Sequence, residues 1–279
     1  MSIQTELTRI TNAKAAIKTA IEGKGVTVPE ATLLDGMASL IENIEAGGGA
    51  TEPYTEEVID GNGDITNATL HGYTIIRNNA FYNCTKLALV SLSSGITSIG
   101  NYTFYNCLEL ALTSLPSGIT SIGNNAFQNC SSLALTSLPS GITSIGNYTF
   151  YKCLELALTS LPSGITSIGT SAFYNCSKLA LTSLSSGLTS IGNNAFYGCS
   201  SLALTRLPSG ITSIGNFAFQ NCSSLASLTF EGEPKSISGT AFNGCTNLTT
   251  INVPWAPGAV ANAPWGAINA TINYNFPGA

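Results

Sequence analysis

Residues 124–146 read Asn-Asn-Ala-Phe-Gln-Asn-Cys-Ser-Ser-Leu-Ala-Leu-Thr-Ser-Leu-Pro-Ser-Gly-Ile-Thr-Ser-Ile-Gly, and close copies of this stretch lie on both sides of it. All 8 cysteines of the chain recur at intervals of 23 residues, with a phenylalanine three positions before each one. The central members of this ladder are Phe104, Cys107, Phe127, Cys130, Phe150, Cys153, Phe173 and Cys176. Such a fixed period predicts a solenoid, in which each unit buries its apolar side chains against its neighbours.

Each repeat divides into short segments. The Ala-Phe-x-x-Cys part suits one helical or 3₁₀ turn, which would place Phe127 and Cys130 on one inward face. Residues 133–138 predict a short strand, residues 139–141 a turn, and residues 142–145 a second extended segment. The expected fold is therefore an α/β leucine-rich-repeat solenoid of eight 23-residue coils over residues 65–252, with short strands and short helical or 3₁₀ turns.

The repeat resembles the BspA-like leucine-rich-repeat family, whose pattern runs Leu-x-x-Ile/Leu-x-Leu-Pro, Ile-x-x-Ile-Gly and Ala-Phe-x-x-Cys. The resemblance covers about residues 70–252. It implies a non-enzymatic protein that acts in adhesion and recognition. The partner that this resemblance implies is a protein or a cell-surface glycan.

The internal repeats depart from the family pattern in their strand segment, where Thr136 takes the expected apolar position and Leu135 precedes it. Regular strand alternation would expose Leu135 and its equivalents as an apolar stripe. A local bulge would instead bury these leucines, and both arrangements fit the sequence. The candidate binding face, drawn from the first arrangement, comprises Leu112, Ser114, Leu135, Ser137, Leu158, Ser160, Leu181, Ser183, Leu204 and Arg206.

The N-terminal segment differs from the repeats. Residues 1–45 predict a helical hairpin with apolar positions at helical spacing, and residues 46–64, rich in glycine and acidic residues, predict a flexible linker. The stretches Ala-Ile-Lys-Thr-Ala-Ile-Glu-Gly-Lys-Gly-Val-Thr-Val-Pro at 16–29 and Leu-Leu-Asp-Gly-Met-Ala-Ser-Leu-Ile at 33–41 resemble N-terminal modules of phage or prophage tail and fibre proteins of gut Firmicutes. This resemblance implies attachment, and either a homo-oligomer through residues 3–45 or simple packing fits it.

The C-terminal segment, residues 253–279, predicts a β cap that covers the open end of the solenoid. Its residues 271–276 alternate like a strand. Trp255 and Trp265 lie beside prolines in this segment. They fit either packing within the cap or stacking on sugar rings.

The sequence carries no pattern for catalysis, for a cofactor or for a metal site. No Cys-x-x-Cys pair exists, so the cysteine spacing does not suit zinc, and parallel side chains on neighbouring coils do not suit disulfides. The cysteines are expected to be free, buried thiols. His71 is the only histidine, so no histidine-based catalytic device repeats along the coils.

Charge and hydropathy narrow the partners and the location. The formal net charge is −5, and the repeats hold few basic residues, which argues against nucleic acid. No apolar run of about 18 residues and no signal peptide are seen, so membrane insertion is not expected. Three interpretations stay open: a phage or prophage tail-associated receptor-binding protein on a virion or outside the cell, a bacterial cell-surface or secreted adhesin, and a structural virion component without a receptor.

Overall fold

The computed structural model describes residues 54–59 and 63–277. These residues form a β-solenoid of about 9 coils of about 23 residues, one coil more than the eight predicted. The strands are Tyr54–Ile59 (β1), Ile65–His71 (β2), Ile75–Ile76 (β3), Leu89–Leu92 (β4), Ser98–Ile99 (β5), Ser121–Ile122 (β6), Ser144–Ile145 (β7), Ser167–Ile168 (β8), Ser190–Ile191 (β9), Arg206–Leu207 (β10), Ser213–Ile214 (β11), Ser227–Phe230 (β12), Ser236–Ile237 (β13), Thr250–Asn252 (β14) and Thr271–Asn273 (β15).

One side of the solenoid is built from the Ser-Ile pairs, which form very short parallel strands. Strands β3, β5 and β6 make one sheet, and strands β7, β8, β9, β11 and β13 make another. The pairing keeps like residues together, since Ser144 faces Ser167 and Ile145 faces Ile168. Each isoleucine points into the core, where Ile145 is only 2% exposed. A glycine follows every Ser-Ile pair except Ser236–Ile237 and turns the chain into the next segment.

The Ala-Phe-x-x-Cys segment forms successive turns, so the predicted helical or 3₁₀ turn is wrong. Within the described residues no helix of any kind occurs. The reason lies in the backbone, because Tyr102 and Asn106 both have positive φ, of 55° and 58°. A left-handed residue at every fourth position prevents a right-handed helix from continuing. The Phe104 N–H consequently donates to the Ala126 carbonyl of the next coil, at 2.8 Å.

The phenylalanines and cysteines form two buried ladders along the core. The Phe150 ring stacks between Phe127 and Phe173, with centroid distances of 5.6 and 5.5 Å. The Cys153 thiol donates a hydrogen bond to the Phe127 carbonyl of the preceding coil, at 3.1 Å. Seven consecutive coils repeat this thiol contact. The cysteine therefore packs as an apolar residue and also satisfies a buried carbonyl.

An asparagine ladder joins neighbouring coils at the turn after most Ser-Ile pairs. The side-chain Oδ1 of Asn147 accepts a hydrogen bond from the Thr170 N–H of the next coil, at 2.8 Å. The same contact joins Asn124 to Asn147, at 2.7 Å. The turn glycine lies directly against this asparagine. A Cβ on Gly169 would be 2.6 Å from the Asn147 Oδ1 and 2.8 Å from the carbonyl carbon of Gly146.

This close approach predicts that Gly169→Ala lowers the free energy of unfolding by about 1–3 kcal/mol, because the new methyl group meets backbone atoms that cannot move aside. Gly164→Ala in the same coil is the matched control. Its Cβ would have no atom nearer than the Ile142 oxygen at 3.7 Å, so a change within about 0.5 kcal/mol is expected. Urea denaturation followed by circular dichroism measures both variants. Equal losses of stability in the two variants would contradict the asparagine contact.

The segment predicted to be a flexible linker, residues 46–64, contains strand β1, so the linker prediction is wrong for Tyr54–Ile59. Strand β1 hydrogen-bonds to β2, which in turn pairs with β4 in a three-stranded sheet. Tyrosine, threonine, valine and isoleucine in this stretch favour extended backbone once a partner edge is available. The predicted helical hairpin, residues 1–45, lies outside the described residues.

The C-terminal segment covers the end of the solenoid as an irregular ninth coil. Trp265 follows Phe242 by one repeat, and the Phe242 N–H donates to the Trp265 carbonyl at 2.9 Å. Strand β15 pairs in parallel with β14 and is shorter than the predicted strand. Trp255 and Trp265 are buried and both contact Phe230. The packing alternative for these tryptophans is therefore the correct one.

Candidate functional site

The leucines of the predicted binding face are mostly buried, so the prediction that they form an exposed apolar stripe is wrong. Four of them are at most 1% exposed: Leu135, Leu158, Leu181 and Leu204. Leu112 is half-buried, and only the first member of the series, Leu89, is exposed. The bulge alternative is therefore correct for the internal coils. These leucines belong to the core and contribute no contact surface.

The residue after each leucine decides which way the segment turns. In the first coil, Val90 is buried and Leu89 points outward within the regular strand β4. In the third coil, Thr136 takes the place of the valine and is exposed, while Leu135 is buried. Burying a threonine hydroxyl without a partner costs about 1–3 kcal/mol, whereas burying leucine is favourable. The alternation is lost as a result, and the predicted strand at residues 133–138 does not form.

The bulge turns two consecutive side chains outward in each of five coils. We call this double row the hydroxyl face; it comprises Thr113, Ser114, Thr136, Ser137, Thr159, Ser160, Thr182, Ser183, Thr205 and Arg206, all of them exposed. Ser114, Ser137, Ser160, Ser183 and Arg206 belong to the face that the sequence predicts. The threonines beside them were missed, because regular alternation directs them inward.

The hydroxyl groups of this face are available for a partner. Within residues 63–277 none of its serines and threonines makes an intramolecular hydrogen bond through its side chain. The exposed threonines on the Ser-Ile side behave differently. There the Thr166 hydroxyl donates to the Thr143 carbonyl at 3.2 Å, and the Thr189 hydroxyl to the Thr166 carbonyl at 3.0 Å. The Ser-Ile side also has serines without an intramolecular partner among the described residues, such as Ser144. The hydroxyl face differs because two consecutive side chains of each coil are exposed there and neither hydroxyl is used within the described part of the protein, so both are open to water or to a partner.

Arg206 ends the hydroxyl face with a positive charge. Its guanidinium lies 3.3 Å from the Glu231 carboxylate, and both side chains are largely exposed. Two further exposed ion pairs join neighbouring coils: Lys86 contacts Glu109, and Lys178 contacts Glu155. Glu109 and Glu155, at equivalent positions two coils apart, thus each pair with a lysine. Exposed pairs of this kind contribute little to stability, about 0–1 kcal/mol.

The titratable groups of the core do not form a reactive centre. Burial raises the pKa of the Cys153 thiol well above its ordinary value, and the neighbouring thiols raise it further. Burial likewise raises the pKa of Cys245, to about 11. A thiol that stays protonated is a poor nucleophile and a poor metal ligand. Among the described residues no cluster of three histidine, cysteine or acidic side chains could hold a metal ion, and no helix is long and apolar enough to cross a membrane.

A second surface feature lies on the turn side, which is the side formed by the Ala-Phe-x-x-Cys turns; there, partly exposed tyrosines stack from coil to coil. Tyr82 and Tyr105 stack at 4.8 Å. A separate column of three, Tyr151, Tyr174 and Tyr197, stacks at 4.7 and 4.5 Å. The 23-residue spacing of these tyrosines is visible in the sequence, but their exposure and stacking required the structure.

A small surface pocket marks the place where the strand pattern changes between the first and second coils. Its volume is about 390 Å³, and Leu89, Leu112 and Pro116 are among the residues that line it. The pocket forms because Leu89 points outward while Leu112 is already half-buried. It adjoins Ser114 at the first coil of the hydroxyl face.

Comparison with known proteins identifies the repeats. Residues 61–180 and 172–259 match the family model described as BspA type leucine rich repeat region, with 6 copies. The chain belongs to the BspA-type leucine-rich repeat family. This membership confirms the resemblance carried by the Phe-x-x-Cys, Leu and Ile-Gly positions. Proteins built from BspA-type repeats typically bind partners and have no enzymatic activity.

One crystal structure of a bacterial leucine-rich repeat protein shows the same fold, and two others were matched at lower TM-scores. A protein from Bacteroides ovatus superposes with a TM-score of 0.53 at 18% identity, over 81% of this chain and 76% of that one. A T. pallidum leucine-rich repeat protein gives 0.43 at 25% identity, over 70% and 88%. A leucine-rich cell surface protein from Faecalibacterium prausnitzii gives 0.37 at 22% identity, over 81% and 96%. No curated protein sequence matches the BspA-type chain.

Proposed function

We propose that this chain is a non-enzymatic recognition and adhesion protein of the bacterial cell surface, and that the hydroxyl face contacts its partner. The observation that carries the proposal is the double row of exposed hydroxyls without internal hydrogen-bond partners. Membership of the BspA-type family supports a binding role over catalysis. A protein surface is the partner that the repeat family favours.

The hydroxyl face suits such a partner physically. Five coils at about 4.8 Å each give rows roughly 20 Å long, enough to contact several residues of a partner at once. The backbone below the hydroxyls is fixed by contacts between coils, such as the Ala157 N–H donating to the Leu135 carbonyl at 3.1 Å. Little conformational entropy is then lost on binding. Serine and threonine both donate and accept hydrogen bonds, so the face pairs with amides and with hydroxyls.

The phage or prophage tail interpretation receives no support from the comparisons. Its evidence is the resemblance of residues 16–41, which lie outside the described residues. Oligomer formation through residues 3–45 and attachment to a virion therefore stay predictions. The surface-adhesin interpretation rests on the repeats themselves, which the family model matches.

The hydroxyl face is tested with the double variant Ser137→Glu and Ser160→Glu, which places two carboxylates in its centre. We expect at least a tenfold loss of adhesion of beads coated with the full chain to epithelial cells and to extracellular-matrix proteins, since both carboxylates must be desolvated at the contact. Antibody labelling of intact bacteria that carry the gene tests the surface location in parallel.

The matched control is Ser121→Glu with Ser144→Glu. These serines are also exposed and one coil apart, but they lie on the Ser-Ile side of the solenoid. The control should adhere like the unmodified chain. Equal adhesion by both double variants would remove the hydroxyl face from the proposal, and absence of the chain from intact cell surfaces would remove the location.

A further inference from the structure

Two tyrosines on the turn side lean outward against the stacked columns. The Tyr102 ring is tilted by 53° from Tyr105, with its centroid 5.8 Å away, and it also lies 6.5 Å from Tyr82. Two coils further on, Tyr148 is tilted by 52° from Tyr151, again at 5.8 Å. Tyr102 and Tyr148 are 40% and 37% exposed. Each tilted tyrosine forms, with its column, an aromatic corner that is open to solvent.

The backbone at these two tyrosines is strained. Both have φ of 55°, in the left-handed region, where a bulky side chain is strained by about 1–2 kcal/mol. Other coils have asparagine at the same position, as at Asn125 and Asn194, and asparagine tolerates this conformation better. Strain alone does not mark a site, since Phe217 has φ of 56° at the same coil position. What distinguishes Tyr102 and Tyr148 is that each is exposed and also contacts a stacked tyrosine column.

The coil between the two corners is polar and uncharged. It has Asn125 and Gln128 where its neighbours have tyrosines, and the Asn125 amide donates to the Gln128 side chain. In the next coil the Lys152 Nζ lies over the Tyr151 ring, 5.6 Å from its centroid. Aromatic walls on both sides of an amide pair suit a ligand with apolar C–H faces and hydroxyl edges. Pyranose rings have this chemistry.

We infer that the turn side carries a binding site for an extended, neutral, β-linked glycan, with one sugar stacked in the Tyr102 corner and another in the Tyr148 corner. The corners are two coils apart, about 10 Å along the solenoid, and an extended β-linked hexose chain advances by about the same distance in two sugars. The chain would run along the axis and contact Asn125 and Gln128 between the corners. This inference rests on the proposed recognition function and names a ligand for a surface other than the hydroxyl face.

The test is calorimetric titration of the full chain with cellohexaose, a neutral β-1,4-linked glucose hexamer. The double variant Tyr102→Asn and Tyr148→Asn should bind at least about tenfold more weakly, because it loses two aromatic contacts. Asparagine relieves the backbone strain, so the melting temperature should stay equal or rise. Phe217→Asn is the matched control. Phe217 has φ of 56° at the same coil position but lies outside both corners, and its variant should bind like the unmodified chain.

Three outcomes would overturn the inference: no binding of cellohexaose by the unmodified chain, equal binding of the α-linked maltohexaose, or equal weakening by Phe217→Asn. The Ser137→Glu and Ser160→Glu variant separates the two proposals. It should keep its affinity for cellohexaose while losing adhesion to cells. If cellohexaose does not bind but the hydroxyl-face variant still loses adhesion, the glycan site fails and the surface-adhesin function stands.

Discussion

Raising the pH from 8 to 10 should destabilise the solenoid steeply, because buried thiols ionise only after unfolding. Seven cysteines, from Cys107 to Cys245 at one per coil, have pKa values raised above the ordinary 9.0, chiefly by burial. Groups whose pKa is raised in the folded state stabilise it fully below the unfolded pKa and lose that contribution as the pH rises. The loss therefore begins near pH 9 and continues through the folded pKa, about 11 for Cys245.

The size of this effect follows from the number of thiols. At one pH unit above its unfolded pKa, each thiol contributes a loss of about 1 kcal/mol, so the seven together lower the free energy of unfolding by several kcal/mol at pH 10. Urea denaturation at pH 8, 9 and 10 measures the slope of the free energy of unfolding against pH. The double variant Cys153→Ser and Cys176→Ser removes two of the seven ionising groups. Its slope should be shallower by about two-sevenths, and an unchanged slope would assign the alkaline loss to other groups.

Phe150→Ala should be among the most damaging single substitutions in the solenoid core. Phe150 is fully buried and stacks on a phenylalanine at each side. Removing the ring leaves a cavity in the centre of the column, at a cost of about 3–5 kcal/mol, and two aromatic contacts of about 0.5–1.5 kcal/mol each are lost as well. Thermal and urea unfolding followed by circular dichroism measure the effect, and a break in cooperativity between the two halves of the solenoid is also expected.

Phe81→Ala is the control for position in the column. Phe81 is buried but begins the ladder, with one stacking partner, Phe104 at 5.4 Å. Its loss should cost less than the loss of Phe150 by about one aromatic contact, and unfolding should stay cooperative. Phe150→Leu keeps most of the side-chain volume and should cost about 1–2 kcal/mol. If Phe81→Ala and Phe150→Ala proved equally destabilising, the stacking between coils would have no measurable role.

The phenylalanine and cysteine ladders of the core were predictable from their spacing, because a 23-residue period places equivalent side chains of neighbouring coils next to each other. The turn conformation was not predicted, although a signal existed. Asparagine or glycine precedes most cysteines, as at Asn129 and Gly198, and these residue types favour positive φ. Phenylalanine and cysteine three positions apart fit a helical turn and a pair of successive turns equally well. The residue directly before the cysteine therefore held the decisive information about the turn conformation.

The direction of the leucines was open for a related reason. Leu-x-Leu-x-x-Leu fits a regular strand in one register and a bulge in the other. The polarity of the residue after the leucine decides whether the leucine is buried. Val90 is buried in the first coil, whereas Thr136, at the same position of the third coil, is exposed. The hydroxyl face follows from that choice. The tyrosine corners depend on ring tilt and exposure, which no spacing rule supplies.

The asparagine ladder has a genetic consequence. Five junctions between the described coils use the same acceptor and donor, such as the Asn101 side chain with the Asn124 N–H and the Asn124 side chain with the Asn147 N–H, both at 2.7 Å. Loss or duplication of one whole coding unit among these coils by unequal recombination would therefore join matching ends and keep this hydrogen bond. Length can change between strains in whole coils, which lengthens or shortens the exposed rows without a new fold having to evolve.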